Sequence, residues 1–212
     1  MPWFWEGFGF FSVFKKIIHI LPYLMLASVC LVCDWLITVP IIHNTDPSRA
    51  LMDNLAHGFI AGISWLIVVG ISREGIIQSL GCSVLSCAID VDHFFLARSW
   101  NLKDALSLTH RPPLHTTTII LLLVPLLQTW CAQHVVCLHL LPYMFTISVL
   151  SHHLRDAQRR GLWFWPIGST PSLPCWLYVT CVMLLPFVLK IVIKAVESLP
   201  DNEELKKSPV PI

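Results

Sequence analysis

Between short polar connections the chain keeps returning to apolar stretches close to the roughly 20 residues that a helix needs to cross a bilayer. The stretches cover residues 17–42, interrupted by Asp34, then 55–71, 76–96, 116–130, 135–153 and 173–194. A lipid-embedded chain has no water to satisfy open backbone groups, so such runs fold as helices. The expected architecture is therefore all-α, a multipass membrane helical bundle of about six transmembrane helices.

Composition agrees. Of 212 residues, 55% are apolar and only 13% are charged, against about a quarter charged in soluble domains. A formal net charge of +1 and the lack of a basic, aromatic-studded stripe speak against a nucleic-acid partner, leaving the lipid bilayer as the partner implied. Residues 1–16 are dense in aromatics (Trp3, Phe4, Trp5, Phe8, Phe10, Phe11, Phe14) ahead of Lys15 and Lys16, and read as an interfacial anchor rather than a cleaved leader. Residues 17–196 form one transmembrane helical domain, and the polar, proline-containing tail 197–212 reads as disordered. The cysteines lie mostly in apolar runs, where they behave as small packing residues, and this includes the Cys30/Cys33 pair. Flanking Lys and Arg residues balance between the two sides, so the positive-inside rule does not choose an orientation.

Against this background the ionisable residues stand out. His152 and Asp156 are four apart, which places an imidazole and a carboxylate on one helix face, and Asp53 and His57 repeat the spacing. Asp90, Asp92 and His93 crowd into four positions near the end of the third run, with Asp90 and His93 on one face. Close carboxylates repel unless a cation lies between them. His110, Arg111 and His115 flank Pro112-Pro113, which forbids a regular helix and makes a rigid loop before the fourth run. Asp34 is a carboxylate near the end of the first run, where burial in lipid is costly. For each pair alone the bland reading is a hydrogen-bonded helix end or an N-cap aspartate. Six helices running up and down, however, bring Asp34, Asp53, His57, Asp90, Asp92, His93, His110, His115, His152 and Asp156 to one membrane face. Imidazole with carboxylate suits a divalent metal, zinc or manganese above others, and also multi-metal hydrolase centres. Arg111 and Arg155 lie beside these groups and could fork onto a phosphate, whereas Arg159 and Arg160 read as solvated or headgroup-facing charge.

His57-Gly58, Asp90-Val91-Asp92-His93, His110-Arg111 with His115, and His152 followed by Asp156 and Gly161 resemble, in that order, the motifs of the membrane-bound metal-dependent hydrolases, the group that includes the LexA-binding inner-membrane-associated hydrolases. The likeness extends from Asp53 to Pro166. It departs at Ile89, Pro112 and Leu114-His115-Thr116, where the family has proline, glycine and Thr-His-Ser. The resemblance implies a metal-dependent hydrolase, and arginines beside a site at the headgroup level point to a phosphate-containing or ester lipid-like substrate. Asp90, His110, His115, His152 and Asp156 would hold the metal, Asp92 and His93 would act in catalysis, and Asp34, Asp53 and His57 would support the ligands from outside. Arg111 and Arg155 would bind the anion. The alternative reading is a non-enzymatic scaffold or partner subunit whose polar or metal cluster is structural; a proton or ion pathway is a third, disfavoured by the gathering of the polar groups at one face.

Overall fold

The structure, a computed structural model, describes residues 3–135 and 138–198, with side chains from residue 19 onward in the first helix. The anchoring role expected of side chains 1–16 and the tail from 199 lie outside the described residues, as does Cys137. The chain is helical almost throughout: α1 (Trp3–Thr38), α2 (Pro40–His43), α3 (Asp46–Val69), α4 (Arg73–Ala88), α5 (Val91–Ala97), α6 (Leu102–Leu106), a 3-10 turn (Pro113–His115), α7 (Thr118–His134), α8 (Leu141–Arg160) and α9 (Cys175–Glu197). A two-stranded hairpin, β1 (Trp163–Phe164) and β2 (Gly168–Ser169), joins the last two helices.

By length and apolarity 19–38 of α1, all of α3, the stretch 73–97 and all of α9 can each cross a bilayer. The helix α7 is apolar but only 17 residues long, and α8 turns polar in its second half. The outward faces carry exposed Leu24, Met25 and Leu31 on α1, Leu121 and Leu126 on α7, and Phe187 and Ile191 on α9. Such continuous apolar faces belong against lipid.

Two helices lie innermost. α3 packs on α1, α4, α8 and α9, and α8 packs on α3, α4, α7 and α9. Around them Trp65, Ile147, Val68 and Ile193 close one buried cluster, and Leu26, Ile60, Tyr178 and Val182 another. The contact of α3 with α4 is close because Gly58 and Gly62 face it: a Cβ on Gly58 would lie 2.7 Å from Cys87 Sγ, and one on Gly62 would strike Ser83 Oγ and sit 3.1 Å from the Ser79 carbonyl.

Several expected boundaries move, each for a local reason. Asp46-Pro47 opens α3, because Thr45 caps the helix through Ser48 N and proline is tolerated in the first turn. Asp53 is thus inside α3 and not its N-cap. Residues 73–75, which fall between two of the apolar runs, form the first turn of α4, with Ser72 Oγ accepting from Gly75 N at 2.9 Å. Pro142 likewise lies in the first turn of α8, which starts at Leu141 and so escapes a kink. Gly161, at φ 71°, ends α8.

Candidate metal centre

The centre begins with a break. The run expected as one helix over 76–96 stops at Ala88 and restarts at Val91 after a turn. In an unbroken helix Asp92 would point away from Asp90; the turn lets both carboxylates face the same space. The last carbonyls of α4 have no partner within their own helix, and one of them, Ser86 O, accepts from His152 Nδ1 at 3.0 Å. That bond places the proton on Nδ1 and leaves the Nε2 lone pair of fully buried His152 directed at the carboxylates.

His115 is oriented by a different element. Its 3-10 turn is gripped at Leu114, whose N–H donates to Asp92 Oδ2 at 2.7 Å and whose carbonyl accepts from His153 Nε2 at 2.9 Å. His115 Nδ1 lies 3.4 Å from Asp92 Oδ1, so its Nε2 also faces inward. A carboxylate or carbonyl behind each imidazole is the arrangement that fixes metal-ligating histidines.

The inward atoms converge. His115 Nε2 and His152 Nε2 are 3.3 Å apart. Asp90 Oδ1 lies 3.4 Å from the first and 3.5 Å from the second; Asp156 Oδ2 lies 3.4 and 3.5 Å from the same two atoms. Two near-equilateral triangles therefore share the His–His edge. A triangle of this side has the size of one face of a tetrahedron whose centre is about 2.1 Å from each corner, the bond length of zinc to imidazole and carboxylate, so each triangle could hold an ion that keeps its fourth position open. Without an ion, a proton must do this work: burial by itself would depress His115, but hydrogen bonds to Asp156, Asp90 and Asp92 overcome it and push its pKa up to about 11.

Around these atoms most of the remaining groups are paired, His57 Nδ1 being buried without a hydrogen-bond partner among the described residues. Asp156 Oδ1 lies 3.4 Å from His57 Nε2 and accepts from Arg159 at 2.7 Å. Asn54 Nδ2 donates to Asp90 Oδ2 at 3.2 Å. Arg155, 3% exposed, binds Asp53 Oδ1 at 2.5 Å and Asp34 at 3.2 Å, while Tyr178 hydroxyl donates to the other oxygen of Asp34. Thus α1, α3, α8 and α9 are tied by one charge network directly behind the ligands. In front lies a cleft of about 190 Å³ that reaches Asp90, His115 and Asp156 and is walled by Arg111, Arg159, Arg160 and Leu162, among others.

Comparison with known proteins places the chain. It is 44% identical to transmembrane protein 267 of Mus musculus over 74% of each chain, and 37% identical to that of Danio rerio over 78% of this chain and 76% of the relative. The Bos taurus protein of the same name is 40% identical over 77% of each. The chain belongs to the transmembrane protein 267 family. It is accordingly an integral, multi-pass membrane protein. No protein-family profile matches it, and no solved structure matches it. The likeness to metal-dependent hydrolases rests on the ordered motifs alone.

In this transmembrane protein 267 relative the residues singled out in the sequence are largely drawn together. Asp90, His115 and His152 form one group that could hold an ion, His57, His152 and Asp156 a second, and Asp92, His93 and His115 a third. His110 does not join them: it is exposed on the cleft wall, with Nδ1 2.9 Å from Thr109 Oγ1, because the proline pair separates its backbone from the turn that carries His115. His57, expected as outer support, comes within ligand distance of Asp156 and stacks on His152 with ring centroids 3.7 Å apart. Arg111 does not face an anion site. Its guanidinium donates to the Gly161 carbonyl at 3.0 Å and to that of Arg160, capping α8. Arg155 is buried in ion pairs and closed to ligands. Arg159, expected to be free surface charge, is held by Asp53 and Asp156 instead. His153 was not singled out at all; nothing in its spacing reveals that it would hold the Leu114 carbonyl.

Proposed function

We propose that this protein is a membrane-embedded metal-dependent hydrolase, with Asp90, His115, His152 and Asp156 holding a divalent ion, zinc in preference to manganese, at one membrane face. The observation that carries this is the pair of 3.3–3.5 Å triangles on a His–His edge, with both Nε2 lone pairs fixed inward by bonds at Nδ1. Two nitrogens and two oxygens at this size suit zinc better than manganese, which favours more numerous oxygen ligands. An ion so held, with one position left to water, would lower that water's pKa toward neutral and would polarise an ester or phosphoryl oxygen.

The protein's own residues supply the rest. Asp92 orients His115, Ser86 orients His152, and Arg159 with His57 steadies the far oxygen of Asp156. The substrate is a phosphate-containing or ester lipid-like molecule entering the cleft, whose walls combine arginines with Leu106, Leu108 and Leu162. That cleft reaches Asp90, His115 and Asp156 and could bring water or substrate to the fourth position of an ion held by three of these atoms, the position that a catalytic site keeps open and a structural one fills, which favours the enzyme over the scaffold reading. The test is elemental analysis of the purified protein beside a His152→Ala/Asp156→Ala variant, together with an ester and phosphoester panel. About one equivalent of ion in the parent, lost from the variant, and metal-dependent turnover support the reading. A metal-free parent protein refutes it.

A further inference from the structure

Resting on that reading, we infer that the protein has a second ion site, made by Asp92, His93 and His115, and that His115 joins it to the first through its two ring nitrogens. Asp92 is 4% exposed, and its two oxygens fare differently. Oδ2 accepts from Leu114 N at 2.7 Å. Oδ1 is buried with no hydrogen-bond partner among the described residues, although His93 Nδ1 lies 3.3 Å and His115 Nδ1 3.4 Å away. The hydrogen-bond contacts of these rings go elsewhere: His93 Nδ1 meets the Asp90 carbonyl at 3.2 Å, and His115 Nδ1 meets Asp92 Oδ2 at 3.5 Å. A buried carboxylate oxygen left without a donor is costly.

Protons on the two rings leave Oδ1 unserved, whereas an ion between the three atoms would engage it. Asp92 Oδ1 stands 3.3 and 3.4 Å from the two nitrogens, as His115 Nε2 stands from His152 Nε2 and Asp90 Oδ1. That is the spacing of ligands about 2.1 Å from one zinc. Each of the three residues offers one ligand atom within 4.8 Å of the others. Two imidazoles with a carboxylate form a donor set that zinc accepts, and His93, its side chain 25% exposed, lines the cleft and gives an ion a way in. In taking the ion, His93 gives up its contact with the Asp90 carbonyl.

His115 serves both positions. Its Nε2 faces Asp90 and Asp156, and its Nδ1 faces Asp92. A ring can give lone pairs at both nitrogens only as imidazolate, so the second ion enters as the proton on His115 Nδ1 leaves for solvent. That loss makes the second site the weaker one, filled after the ion that purifies with the protein. Ions on opposite nitrogens of one ring stand about 6 Å apart, given ion–nitrogen bonds of ~2.0 Å. Paired ions that clamp one displacement stand only roughly 3.5–4 Å apart. The second ion therefore fixes His115, in place of its longest hydrogen bond, and stays out of the bond-breaking step.

The test uses the full-length protein in detergent. Purified protein that carries about one zinc should take up about one more when zinc is added at mildly alkaline pH. His93→Ala and His93→Gln should keep the first ion and fail to take the second. Cobalt in place of zinc reports the bridge: filling the second site of the parent should weaken the EPR signal per cobalt through coupling across the shared ring, and the His93 variants should keep the full signal. The inference is overturned by a parent that saturates with a single ion, by His93 variants that still take up two, or by a second cobalt uncoupled from the first. Loss of the first ion from both variants overturns it too, since His93 would then belong to the first site. Absence of any ion from the parent would instead defeat the metal reading beneath it.

Discussion

His115 and His152 stand 37 positions apart in the chain, yet their Nε2 atoms are 3.3 Å from one another, with a carboxylate oxygen on either side of the pair. Two unprotonated imidazole nitrogens at this distance repel. They are brought there by bonds made at their far sides, to Asp92 and Ser86. A proton or a cation between them would relieve that repulsion.

Zinc at a hundredfold excess over its Kd should raise the unfolding free energy by ~2.7 kcal/mol if the unfolded chain does not bind it. Thermal unfolding in detergent with and without zinc reads this directly. His152→Ala should remove the response while leaving helical content, measured by circular dichroism, close to that of the parent.

Ion uptake should also expel a proton. In the metal-free protein His115 is held well above its ordinary 6.5, at about 11, so its imidazolium contributes stability that is full below about pH 6.5 and fades as pH rises toward 11. The metal-free protein should accordingly lose stability across that window. At pH 8, zinc titration in buffers of different ionisation enthalpy should reveal release of about one proton per ion, and His115→Gln should lower that number.

Arg155→Ala should destabilise the protein by about 3–5 kcal/mol, since it strands the carboxylates of Asp34 and Asp53 without their shared partner. Arg155→Lys should recover only a fraction, because one ammonium cannot reach both carboxylates as the guanidinium does. Unfolding midpoints equal to that of the parent would show that the network contributes little.

At the α3–α4 contact, Gly62→Val should cost ~1–3 kcal/mol through overpacking. Gly62→Ala meets the Ser83 hydroxyl first, so its cost should shrink in a Ser83→Ala background. A double-mutant cycle with no coupling between these positions would contradict the close approach.

The helical character of the fold was legible because lipid-length apolar runs admit one backbone solution. The gathering of Asp90, His115, His152 and Asp156 was legible for a related reason: up-and-down connectivity places alternate helix ends together. Direction within the site was not. Arg111 and Arg155 adjoin ligands in sequence, yet one caps α8 and the other is buried among carboxylates, because each guanidinium goes to unpaired acceptors that only the packed structure creates. The helix break at 89–90, which turns Asp92 inward, also carries no glycine or proline to announce it.

Leu114 supplies no ligand, but its peptide is clasped from both sides, by Asp92 at the nitrogen and His153 at the oxygen. Loosening either clasp would free the neighbouring imidazole of His115 to turn away from Asp90 and His152 without altering either of them. The geometry of this cluster can thus be retuned by changes at His153, a residue that contributes no atom to it.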